Sequence, residues 1–128
     1  MRLLLDTHAL LWALSASPRL SARARAAVAD EGSEIVISAV SAFEITTKHR
    51  LGKLPEFDWI ATRFFEALDA LAYTPLPVTM AHAARAGELP HPHGDPFDRI
   101  LIAQALCEGM ALVCNEKLFD DFGVQRVW

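Results

Sequence analysis

The chain has 128 residues, a length that suits one domain over 1–128 with a core of its own. Hydrophobic residues make up 52% and mean hydropathy is +0.22, which excludes a disordered chain. Twelve Lys and Arg against sixteen Asp and Glu leave a net charge of −4, so bulk positive charge cannot hold nucleic acid here, although metal ions could still mediate the contact.

Residues 2–5 (RLLL) form a short apolar run that ends at Asp6 and suits a buried strand. Residues 8–14 pattern as a helix, broken by Ser15, Ser17 and Pro18. Ser21 is placed to cap a second helix over 22–30. A strand is expected at 34–37, then a helix over 39–50 closed by Gly52, with Ser41 and Glu44 spaced as a capping box. The pattern at 57–71 reads as one helix and 72–75 as a short strand. Thr79 should cap a helix to about 87, and the proline-rich stretch 88–96 is a loop. Asp95 and Pro96 open a helix over 96–108, followed by strands at 110–114 and 124–127. Strands alternating with helices predict a parallel sheet covered on both faces.

No apolar run approaches the roughly 20 residues that span a bilayer, and the first run lacks the features of a signal peptide. A soluble, unexported chain is the expectation. Cys107 and Cys114 are too few for a disulfide framework and fit a reducing cytosol, with Cys107 expected to be buried.

Ligands of parallel sheets bind beyond the carboxyl ends of the strands. Asp6 follows the first strand, Glu44 lies early in the helix after the second, Asp95 and Asp98 open the helix before the fourth, and Glu116 follows that strand. Each has a bland role: Asp6, Asp95 and Asp98 suit helix N-termini, Glu44 can pair with Lys48 one turn on, and Glu116 can cap a short turn. Gathered on one edge they repel, and a divalent cation is their simplest counter-charge. All-oxygen ligands favour Mg²⁺ or Mn²⁺ over zinc, and such an ion suits phosphoryl chemistry.

The stretches LLLDTHALLW at 3–12, ISAVSAFEI at 37–45, HGDPFDRILIAQA at 93–105 and LVCNEKLFDDFGV at 112–124 together resemble the PIN domain, and within it the VapC toxin ribonucleases of bacterial toxin–antitoxin pairs. The resemblance implies a three-layer α/β/α sandwich around a parallel sheet of about five strands. It implies a Mg²⁺- or Mn²⁺-dependent cytoplasmic endoribonuclease in which activated water attacks a phosphodiester, leaving a 5′-phosphate and a 3′-hydroxyl. By match to the motifs Asp6, Glu44, Asp98 and Glu116 form the acidic, metal-holding site, with Asp95 and Thr7 as additional site residues. RNA (tRNA or rRNA), a cognate antitoxin and a second copy of the chain are the implied partners. One block departs from the family: Cys114, Asn115 and Glu116 stand where Thr or Ser, any residue, and Asp are usual. Glu carries its carboxylate about 1.5 Å farther than Asp, one C–C bond.

Other residues carry less. His91 and His93 in a proline-rich loop read as loop chemistry rather than zinc ligands, and His8 is a candidate RNA contact. Trp12, Trp59, Phe64 and Phe65 read as core or groove residues. A phospho-receiver domain would need an adjacent acid pair after the first strand and a late Lys-Pro, and neither occurs. An acid-phosphatase-like hydrolase would need a second Asp where His8 stands. A PIN module with weakened catalysis is the remaining alternative.

Overall fold

The computed structural model describes residues 1–128. Five strands, β1 (Arg2–Leu5), β2 (Glu34–Ser38), β3 (Thr74–Leu76), β4 (Ala111–Val113) and β5 (Arg126–Val127), form one sheet in the order β3-β2-β1-β4-β5. Every neighbouring pair is parallel, with Leu5 level with Ile37 on one side and Val113 on the other. Seven helices cover the sheet: α1 (Thr7–Leu14), α2 (Ala22–Ala29), α3 (Ala39–Arg50), α4 (Asp58–Thr62), α5 (Phe64–Ala70), α6 (Met80–Glu88) and α7 (Pro96–Glu108).

Strand alternation sorts the apolar residues into two layers. Leu3, Leu5, Ile35, Ile37 and Val113 face α1, α2, α4 and α5 through Leu10, Ala24, Ile60, Phe64 and Leu68. Leu4, Val36 and Leu112 point the other way, onto Ala86 of α6 and Leu101, Ile102 and Ala105 of α7. The sheet is thus apolar on both faces, which is what its continuous Leu, Ile and Val runs require. Gly109, at φ +64°, supplies the left-handed residue that ends α7 and turns the chain into β4. No helix is long and apolar enough to cross a membrane.

The expected strand–helix alternation and three-layer architecture are present. Four local expectations are corrected. The helix read over 57–71 is interrupted at Arg63, after a short 3₁₀ turn over Pro55–Phe57. Neither Gly nor Pro marks the break, and Ile60, Phe64 and Leu68 pack into one core layer on both sides of it. The third strand lies at Thr74–Leu76 rather than 72–75. The cap of α3 is Ser38, whose Oγ accepts the Val40 N–H at 3.0 Å, so Ser41 lies inside the helix and forms no capping box. Cys107 is exposed, because it lies about 200° around α7 from the buried Ala105.

Leu112 is fully enclosed at the centre of β4, whereas Phe65 is 80% exposed. Leu112→Ala is expected to cost about 2–5 kcal/mol of stability in urea denaturation. Phe65→Ser should change it by no more than about 0.5 kcal/mol.

A candidate metal centre

The sheet order reverses at β1: the chain builds β2 and β3 on one side and returns to place β4 and β5 on the other. A crevice therefore opens beyond the carboxyl ends of β1 and β4. Asp6, the first residue past β1, donates its N–H to the Val113 carbonyl of β4 at 3.1 Å. Its Oδ1 accepts the Ala9 N–H at 2.8 Å and caps α1. The next residue, Thr7, is buried, and its hydroxyl donates to Ser41 Oγ at 3.1 Å. That bond ties the start of α1 to α3, one turn before Glu44. Glu44 pairs with Lys48 at 3.0 Å.

Across the crevice, Asp95 Oδ1 accepts the N–H groups of Phe97 and Asp98 at 2.9 and 3.2 Å and caps α7. Asp98 in turn accepts from His93 Nε2 at 3.0 Å. Beyond β4, Cys114 Sγ accepts the Glu116 N–H at 3.2 Å and turns the chain. Asn115 and Glu116 then join Asp6, His8 and Trp12 around a cavity of about 190 Å³. The expected capping by Glu116 is absent: it precedes a short 3₁₀ segment, Lys117–Phe122, without a side-chain bond to it.

Burial raises the Asp6 carboxyl above its ordinary range; the Ala9 N–H, the Cys114 thiol and His8 oppose this, and Asp98 adds to it. Burial likewise raises Asp98, against hydrogen bonding from His93, and both Asp95 and Glu44 push it further. Burial, then the charge of Asp6, pushes the Cys114 thiol up, so it stays protonated and can donate toward Asp6. Asp98 thus lies within the field of Glu44 and Asp95, Asp6 lies within that of Asp98, and Glu116 shares a cavity wall with Asp6.

These carboxylates do not yet converge on one point: no three His, Cys, Asp or Glu side chains stand close enough to share an ion. Two are instead held by positive or proton-donating neighbours, Glu44 by Lys48 and Asp98 by His93. The donor set is carboxylate oxygen, and desolvation disfavours its charge, so its chemistry fits a hard divalent cation. The Thr7 hydroxyl bonds Ser41, and Asp95 Oδ1 caps α7.

The histidines of the proline-rich loop carry more than the sequence suggested. His93, in the loop, reaches Asp98 in the first turn of α7 five positions on, a spacing no helix or strand period marks. His91 Nδ1 accepts the His93 N–H at 3.1 Å, and its ring lies 4.6 Å from that of Phe122. His8 is exposed at the cavity mouth, its ring 5.5 Å from Trp12. Of the aromatics, Phe64 is core, whereas Trp59 and Phe65 are more than half exposed.

A family model described as "PIN domain" matches residues 3–124. Ribonuclease VapC16 of Mycobacterium tuberculosis is 41% identical over 71 residues, covering 52% of this chain and 50% of that protein. The chain is thus matched over about half the length of this curated relative. Among solved structures, VapBC2 from Rickettsia felis, bound to a promoter DNA fragment, superposes with a TM-score of 0.69 at 16% identity over 100% of both chains. FitAcB from Neisseria gonorrhoeae does so with 0.69 at 17% identity, over 97% of this chain and 95% of that one. VapBC-1 from nontypeable Haemophilus influenzae follows with 0.65 at 17% identity, over 98% and 96%. At such identities the superpositions establish a shared fold.

The raised Asp6 carboxyl binds its proton more tightly folded than unfolded. Stability falls as pH rises from the ordinary carboxylate range through the raised value, and stays reduced above it. Asp6→Asn keeps an oxygen for the Ala9 N–H and removes that cost. In chelator at neutral pH the variant should melt higher than wild type, with a flatter melting temperature between about pH 4 and 7. Calorimetric scans across that range check this; a lower melting temperature for the variant contradicts it.

Proposed function

Because this chain belongs to the PIN-domain family, we propose that it is a metal-dependent endoribonuclease of the VapC toxin type. The observation that carries the proposal is that carboxylates from four separate segments line the β1–β4 crevice, with Asp6 and Asp98 both raised by burial and by neighbouring acids. The identity to a protein named a ribonuclease supports the chemistry, and likeness to VapBC and FitAcB structures supports an antitoxin partner.

In this reading Asp6, Glu44, Asp98 and Glu116 hold Mg²⁺ or Mn²⁺. When bound, the ion supplies charge neutralisation at a phosphodiester and a lowered pKa for water. The chain's own residues prepare for this. The β1–β4 hydrogen bond and the α1 cap fix Asp6, so little reorganisation is left for its carboxylate. Thr7 holds α3 and with it Glu44; Asp95 holds the first turn of α7 and with it Asp98. The Cys114 thiol faces Asp6 as a weak donor, and the Glu116 N–H is taken by its sulfur. His8 and Trp12 flank the cavity on the side where an RNA strand reaches Asp6.

Exposed Phe43, Trp59, Phe65 and Met80 give the surface more large apolar side chains than water alone favours. They support contacts with an antitoxin and with a second copy of the chain. A cytoplasmic location goes with this role, as toxin, antitoxin and RNA target must meet there.

Purified protein should cleave single-stranded RNA in Mg²⁺ or Mn²⁺, leaving 5′-phosphates, and stop when chelator is added. Asp98→Asn should lower the rate by about 10²-fold or more, as expected for loss of a group acting directly on the reacting centre. Gel analysis of end-labelled RNA checks both. Equal cleavage by wild type and Asp98→Asn sinks the assigned site, and RNA binding without cleavage in any metal favours a weakened module.

A further inference from the structure

Arg99 adjoins Asp98, yet its guanidinium serves backbone carbonyls. Nε donates to Ala86 O at 3.0 Å, Nη2 to Leu89 O at 2.6 Å, and Nη1 to His91 O and His93 O at 2.7 and 2.8 Å. One of these acceptors lacks its helical partner for a covalent reason. The helical partner of Ala86 O would be the N–H of residue 90, which is Pro90, and Pro92 removes another donor from the same segment. The strap 89–95 between α6 and α7 therefore cannot hold its shape with backbone bonds alone, and one side chain from α7 supplies them.

Two histidines of the strap reach its surroundings, one of them the site. His93 donates from Nε2 to Asp98 Oδ2, which leaves Oδ1 for an ion and sets the plane of the carboxylate. His91 packs on Phe122, and its Nε2 lies 3.5 Å from Asp121, in the 3₁₀ segment that follows Glu116. We propose that Arg99 is a positioning residue of the site: by clamping four carbonyls it holds the strap so that His93 orients Asp98. The kinetic part of this rests on the ribonuclease reading above; the structural part does not.

The guanidinium fork is essential to the clamp. Arg presents five N–H donors in a fixed plane, whereas Lys presents three from a single point. Arg99→Lys retains the charge near the C-terminal end of α6 and loses the fork, so it separates geometry from electrostatics.

The test compares wild type, Arg99→Lys and His93→Gln as full chains. Amide hydrogen exchange follows the strap, ¹⁵N resonances follow the His93 imidazole, and kcat and KM are measured on RNA. In Arg99→Lys, strap amides should exchange faster while β1 and β4 keep their protection, and the His93 resonance should lose its Asp98-bound position. Its kcat should fall about 10²-fold with KM little changed, the scale of a ~1 Å misplacement of a reacting group. His93→Gln should lower kcat while the strap stays protected, which decides the matter even if Arg99→Lys folds poorly. Wild-type strap exchange and His93 resonance in Arg99→Lys overturn the proposal, as does full activity in His93→Gln. Wild-type protein that cleaves no RNA overturns the ribonuclease reading, and the exchange and resonance data then judge Arg99 by themselves.

Discussion

Asp6 and Asp98 are carried to one crevice by elements from opposite ends of the chain, and each is more easily protonated there than in water. That electrostatic cost is the constraint on which the surrounding structure depends. A buried carboxylate beside another is retained only where hydrogen bonds and counter-charges offset part of the cost. The offsets are visible: the Ala9 N–H on Asp6, His93 on Asp98 and Lys48 on Glu44. The offsets differ in kind: the Ala9 N–H is fixed in the backbone of α1, whereas His93 and Lys48 are side chains.

The fold makes the crevice inexpensive in every other respect. The crevice acids also cap helices: Asp6 begins α1, and Asp95 begins α7 and accepts the Asp98 N–H. A helix N-terminus favours negative charge, which is why the acids can stand at these positions at all. The parallel sheet then sets the spacing, because β1 lies between β2 and β4 and its carboxyl end faces the starts of both α3 and the segment after β4. Stability and function compete only at the carboxylates themselves, where local rules are broken.

Much of this was legible in the sequence, for physical reasons. Leu3–Leu5, Ile35–Ile37 and Leu112 with Val113 read as doubly buried strands because nothing polar interrupts them. Asp6, Ser21, Thr79 and Asp95 read as caps because each is a short polar residue directly before an apolar helix, and all four accept the expected N–H. The cap of α3 was misplaced because Ser38 and Ser41 fit equally well locally; the strand register, which keeps Ser38 in β2, selects the first. The roles of His93 and Arg99 were not legible, because their bonds cross an irregular strap whose shape depends on missing proline N–H groups rather than on any period. Lys48 was legible as a partner of Glu44 from helix spacing alone.

The central claim is that this crevice is built to be completed by a divalent cation. Calorimetric titration of Mn²⁺ into the chelator-treated protein, run in buffers of different ionisation enthalpy and repeated with Asp6→Asn, tests it most directly. The account predicts saturable binding by wild type with proton release below neutral pH, and binding at least about tenfold weaker in Asp6→Asn. Equal Mn²⁺ affinity in the two proteins, or no binding by wild type, would contradict it.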